Sequence, residues 1–105
     1  MTALPVLLVM LLLLLPGSAQ AELTERQERL LASNCLQCHS RDHTGAPLLG
    51  VAADWTTRNR QGEDALLRNV IEGVRGMPPS GYCGACDEAD LRALIRHLSG
   101  LDGGR

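Results

Sequence analysis

Residues 35–39 read Cys35-Leu36-Gln37-Cys38-His39, and the rest of the chain is organised around them. Cys-x-x-Cys-His is the pattern of c-type haem attachment. Two thiols with two residues between them, on one turn of backbone, can each form a thioether to one edge of a porphyrin. The imidazole that follows then lies under the ring plane, where a nitrogen reaches the iron. A bare Cys-x-x-Cys leaves zinc, disulfide and thiol redox chemistry open, and the adjoining His narrows that choice. A haem attached there needs a sixth ligand, a wall and an export signal from the rest of the chain.

The export signal stands at the start. Val6 to Leu15 is an apolar run, shorter than the roughly 20 residues needed to cross about 30 Å of hydrocarbon. Pro16, Gly17 and Ser18 break it, and Ala19-Gln20-Ala21 is a small-x-small cleavage pattern. The expectation is a signal peptide over residues 1–21 and a mature domain over 22–105, located in the periplasm and without a membrane span. No Lys or Arg precedes the run, so an uncleaved anchor is the alternative. No Cys follows it to carry a lipid.

Removal of 21 of the 105 residues leaves 84, enough for one domain. A domain of this size is marginal on apolar burial and usually needs a staple, metal or cofactor. There is no Phe, and Trp55 and Tyr82 are the only aromatics. A large flat haem would fill the centre that aromatic side chains normally fill. Ten Arg and no Lys stand against twelve carboxylates. That slightly acidic balance argues against nucleic acid, which selects a basic stripe.

Periodicity places the elements. Thr24 and Gln27 form a capping box, so a helix starts there, runs toward Ser33 with Leu30 and Leu31 buried, and delivers the chain to Cys35. Gly45 to Gly50 is a turn-rich loop, followed by a short helical turn around Asp54 to Asn59. Gly62, Glu63 and Asp64 open a second helix with acids at its positive end. Its apolar stripe is Leu66, Leu67, Val70 and Ile71, and Gly73 stops it. Gly76-Met77-Pro78-Pro79 cannot continue a helix. Asp87 caps a third helix whose Leu91, Leu94, Ile95 and Leu98 follow the i, i+3, i+4, i+7 rule. Gly100 ends it. The mature chain reads as all-α with long loops.

Met77 is the only Met outside the leader, set between a glycine and two prolines. A lone Met is more often core filler, but on a stiffened loop downstream of Cys-x-x-Cys-His, axial ligation is favoured. Met opposite His raises a haem's reduction potential, which suits electron transfer. His43 is too near His39 to cross to the opposite face, and His97 sits late in the third helix. Both read as surface or partly packed, with a bis-His haem as the alternative. For Cys83 and Cys86 a disulfide is the default in an exported protein. A four-thiolate zinc site combining both cysteine pairs and a catalytic dithiol are the competing readings. Trp55 is either core or, with Arg58 three residues on, a holder of a haem propionate, since the guanidinium fork pairs with carboxylates.

Together these segments resemble a class I cytochrome c, most closely the bacterial cytochrome c5 group. The resemblance rests on Cys35-Leu36-Gln37-Cys38-His39, Gly45-Ala46-Pro47 with Gly50, and Trp55 with Arg58. It continues through Gly73, Gly76-Met77-Pro78-Pro79 and Cys83-Gly84-Ala85-Cys86. It implies a small fold of about three main helices around one covalent haem c. Cys35 and Cys38 would carry the thioethers, with His39 and Met77 as the axial iron ligands. Pro47 would offer its carbonyl to the other nitrogen of His39. Trp55 and Arg58 would face a propionate, and Cys83 and Cys86 would form the subgroup's disulfide. The chain departs from the family where the first and last helices cross. Gln27 and His97 stand in place of a Gly and an aromatic, and Leu31 replaces another aromatic, which predicts a looser crossing.

The expected function is periplasmic electron transfer without enzymatic turnover, by a monomer that docks transiently with redox partners such as respiratory reductases or oxidases. The alternative from another class is a haem protein whose sixth ligand is labile, acting in small-ligand binding or peroxidase-like chemistry.

Overall fold

Thr24 opens the first helix by a reciprocal exchange of hydrogen bonds. In the computed structural model, which describes residues 22–101, its hydroxyl accepts the Gln27 amide at 3.0 Å. Gln27 Oε1 accepts the Thr24 amide at 3.1 Å. Two donors that a helix start would leave orphaned are thereby satisfied. The helix continues further than expected. α1 (Glu25–Leu30) passes into a π-helical turn over Leu31–Cys35 and then into α2 (Leu36–His39). The Cys-x-x-Cys-His stretch is therefore itself helical. The wide turn, closed by the Leu36 amide on the Leu31 carbonyl, changes the phase of every residue after it.

Three further segments complete the helical set, α3 (Ala52–Asn59), α4 (Glu63–Glu72) and α5 (Glu88–Ser99), with a 3₁₀ turn at Pro79–Tyr82. Asp87 and Asp90 cap α5 reciprocally. Among the described residues the only β pairing is an isolated bridge between Val74 and Met77. No helix of the described residues is long and apolar enough to cross a membrane. The expected leader, residues 1–21, and the tail from 102 lie outside the described residues.

α5 organises the core with two neighbouring rows of side chains. Leu94 and Leu98 pack with Leu31 and Trp55, while Leu91 and Ile95 pack with Leu66 and Leu67. Each row joins residues four apart, so one helix face splits between two neighbours. Leu94, only 2 % exposed, is the most enclosed of these side chains. Burying a leucine stabilises by roughly 1.5–3 kcal/mol. The expected α4 stripe holds for Leu66, Leu67 and Val70 but not for Ile71. That side chain is 44 % exposed, because neither core cluster extends to it.

Where the first and last helices meet, Gln27 and His97, the positions at which a looser crossing was expected, do different things. His97 is exposed. Gln27 Nε2 donates to Asp90 Oδ1 at 3.2 Å, and Arg26 Nη1 donates to Asp90 Oδ2 at 2.7 Å. The other arm of Arg26 donates to the Ala85 carbonyl at 2.6 Å. Asp90 is 4 % exposed, so a charge-assisted clamp joins the first helix to the start of α5. A second network ties α4 to α5. Glu63 accepts from Arg92 at 2.7 Å and from Arg96, while Asp64 accepts from Arg92 at 2.9 Å.

Candidate functional site

His39 ends α2 with its ring buried, 8 % exposed. Its Nδ1 lies 2.7 Å from the Pro47 carbonyl oxygen. A carbonyl oxygen has no proton to give, so Nδ1 carries the hydrogen and donates it. The tautomer is thereby fixed. Nε2 keeps its lone pair and has no hydrogen-bond partner among the described residues. The indole of Trp55 stacks on the imidazole, with centroids 5.9 Å apart and planes 23° from parallel.

The loop carrying the Pro47 carbonyl is held at three consecutive residues. The Leu49 amide donates to the His39 carbonyl at 2.8 Å. Leu48 donates its amide to Asp54 Oδ2 at 2.9 Å, and its carbonyl accepts Trp55 Nε1 at 2.7 Å. The last bond engages the Trp55 indole donor, so the residue serves as wall and loop anchor. Arg58 Nη1 donates to the Asp54 carbonyl at 2.6 Å. With Arg41, His43 and Pro47, its side chain lines an open cleft of about 450 Å³.

Met77 sits on a loop of successive local turns. Its amide donates to the Val74 carbonyl at 2.8 Å and its carbonyl accepts the Val74 amide at 3.1 Å. The Gly81 amide bonds the Pro78 carbonyl at 2.9 Å, and the Met77 methyl lies against Gly81. Prolines 78 and 79 remove two donors and restrict the backbone, so the loop holds its shape with few bonds. Tyr82, at the end of the 3₁₀ turn, projects into solvent at 82 % exposure.

The two cysteine pairs differ. Cys35 and Cys38 are free thiols, Cys35 half-buried and Cys38 exposed, and burial pushes the Cys35 thiol above its ordinary pKa. Cys83 and Cys86 have their sulfurs 1.97 Å apart. Among the described residues no group of three or more His, Cys, Asp or Glu side chains is placed to hold a metal ion, so the pairs do not converge on a zinc site.

The donor set fits a covalently attached haem. It contains two free thiols on one helical turn, an imidazole with its outer nitrogen proton engaged and its inner lone pair available, and a thioether on a rigid loop. Cys83 and Cys86 do not fit that role. Asp87 rather than a His follows Cys86, and each sulfur is at bonding distance from the other. Sequence reasoning missed Asp54, whose carboxylate reaches back six residues to Leu48. An acid in the first turn of a helix reads as a dipole partner, and no local signal gives it a loop amide.

Comparison with known proteins places these observations. A family model described as "Cytochrome C oxidase, cbb3-type, subunit III" matches residues 22–98. Cytochrome c5 of Ectopseudomonas mendocina is 38 % identical over 74 residues, covering 69 % of this chain and 85 % of that protein. Cytochrome c5 of Azotobacter vinelandii is also 38 % identical over 74 residues, covering 69 % of this chain and 89 % of that protein. A solved chain from the "Crystal structure of electron transfer complex of nitrite reductase with cytochrome c" aligns at a TM-score of 0.66 with 39 % identity. That alignment covers 80 % of this chain and all of the other.

Proposed function

The chain belongs to the class I c-type cytochromes of the c5 group, and from that membership we propose a periplasmic carrier of single electrons. Membership brings one covalently attached haem c and an electron-transfer role rather than enzymatic turnover. When bound, the haem supplies a one-electron ferric/ferrous couple. Everything else is the work of this chain's residues.

Cys35 and Cys38 would hold the haem by thioethers, and His39 and Met77 would be the residues that ligate its iron. The observation that carries this reading is the buried His39 ring, its Nδ1–H donated to Pro47 and its Nε2 without a partner. Such an outer bond orients an imidazole ligand and raises its basicity. Met77 would complete the set from a loop closed by its paired bonds with Val74 and stiffened by two prolines. Arg58 would face a propionate from the cleft it lines, and Trp55 would back the His39 ring. Cys83 and Cys86 form a disulfide, in keeping with their separation and with export through a signal peptide over residues 1–21. The mature domain, from residue 22 to 105, acts as a monomer. It meets reductases or oxidases through small, short-lived contacts, as the related chain solved with nitrite reductase suggests.

An optical spectrum of protein produced with a haem-attachment system tests the reading. Low-spin reduced bands and the weak long-wavelength ferric band of Met–iron coordination are expected. In Met77→Ala the long-wavelength band should vanish, exogenous ligands should bind, and the reduction potential should fall. An unchanged spectrum and potential would remove Met77 from the iron. A high-spin spectrum in the parent protein would favour a labile sixth site.

A further inference from the structure

Resting on the reading of His39 as an iron ligand, we propose that Asp54 is a positioning residue that sets the electron-donating strength of His39 through a single peptide unit. The peptide between Pro47 and Leu48 is bonded at both ends. Its oxygen accepts His39 Nδ1–H at 2.7 Å, and its N–H donates to Asp54 Oδ2 at 2.9 Å. The peptide is a resonance hybrid with partial C–N double-bond character. A carboxylate on the N–H favours the form with negative charge on oxygen. The Pro47 carbonyl thereby becomes a stronger acceptor, as linked hydrogen bonds polarise one another. It draws the Nδ1 proton harder without removing it, and electron density rises at Nε2. A more basic imidazole stabilises ferric over ferrous iron.

Two features make Asp54 suited to this role. Among the described residues no cation forms an ion pair with its carboxylate, and Arg58 spends its hydrogen bond on the Asp54 main-chain carbonyl. The carboxylate is thus not held in a direct ion pair. The next peptide, between Leu48 and Leu49, is also bonded at both ends, its oxygen accepting Trp55 Nε1 and its N–H donating to the His39 carbonyl, which anchors the chain immediately after the relay. The relay therefore keeps its alignment.

The competing explanations are that Asp54 merely closes a loop or acts as one more surface charge. Asp54→Asn separates them, since the amide retains an oxygen for the Leu48 N–H and loses the charge. Asp42→Asn is the control, an exposed carboxylate on the same cleft. Reduction potentials of the haem-loaded full-length proteins are measured by optical redox titration. Proton NMR of the reduced state reads the His39 Nδ1–H and Leu48 amide signals. Asp54→Asn should shift the equilibrium toward ferrous iron by about threefold to tenfold, tenfold being about 59 mV for one electron. Asp42→Asn should shift it by less than half as much, and only Asp54→Asn should move both proton signals upfield.

Equal shifts in the two variants, with the Nδ1–H signal unmoved, would overturn the proposal. If Asp54→Asn does not fold, the parent protein and Asp54→Glu decide. A fast-exchanging Leu48 amide in the parent refutes the relay. Asp54→Glu, which keeps the charge but displaces it, supports the relay if it moves the Leu48 amide and His39 Nδ1–H signals together and refutes it if the Leu48 amide moves alone. His39→Ala distinguishes the underlying reading. If that variant keeps the low-spin spectrum, the ligand assignment fails; if it loses it while Asp54→Asn is silent, only the relay fails.

Discussion

Replacing Gly73 by alanine strikes the point where the Met77 loop passes closest to the end of α4. Gly73 has φ +82° and ψ 152°, a region open essentially to glycine alone, and holding another residue there costs about 1–3 kcal/mol. A β-carbon on Gly73 would lie 2.8 Å from the Met77 carbonyl oxygen, 3.1 Å from Pro79 N and 3.2 Å from Pro79 Cδ. Two of these neighbours are backbone and the third is a proline ring, so relief must come from moving the loop. Overpacking of this kind adds about 1–3 kcal/mol. The sum, about 2–6 kcal/mol, is a large part of the roughly 5–15 kcal/mol that holds a typical domain. The displaced atom belongs to Met77, and its oxygen is bonded to the Val74 amide, so the thioether must move with it. Urea unfolding of the haem-loaded variant should show the loss of stability, and the ferric spectrum should lose most of its long-wavelength Met–iron band. A Gly73→Ala protein within about 0.5 kcal/mol of the parent, its band at full strength, would refute the close approach and its role.

Leu94→Ala should destabilise by about 2–5 kcal/mol, since Leu94 is the most enclosed core side chain. A loss under about 1 kcal/mol in the same urea assay would mean that the cluster around Trp55 and Leu31 is loose. The Arg26 guanidinium, then the Asp87 amide, hold the Asp90 carboxyl below its ordinary value, down to about 2. A depressed carboxylate contributes stability that is present above its unfolded pKa of 3.8 and is lost as pH falls toward about 2. Asp90→Asn should therefore lower stability at neutral pH and flatten its dependence on pH between about 4 and 2. Circular dichroism against pH checks this, and parallel curves for parent and variant would contradict it. In protein made without haem attachment, a thiol alkylating agent should modify exposed Cys38 before half-buried Cys35. Mass mapping after brief exposure reads the order, and equal rates would count against the helical placement of the motif.

Much of the site was legible because its signals are local. Thr24 and Gln27 mark a helix start within four residues, and Asp87 and Asp90 do the same for α5. The apolar rows of α5 follow from a 3.6-residue period that no distant contact needs to enforce. Less legible was how far the first helix extends, since a π turn depends on one misaligned bond rather than on composition. The Ile71 position was misread because periodicity defines a face, while the neighbours that pack on that face decide how much of it is covered.

By itself, the sequence determined the covalent chemistry of this protein. The spacing of Cys35, Cys38 and His39 and the prolines after Met77 act over a few residues, where backbone geometry leaves few choices. Tertiary structure alone decided which carbonyl takes the Trp55 indole. It also decided that Arg26 and Gln27 meet Asp90 across 64 and 63 residues, and that Asp54 reaches the amide next to the carbonyl holding His39. The angles at which segments meet set these pairings. Those angles come from the packing of Leu31, Trp55, Leu94 and Leu98 together, a property of no single stretch of chain.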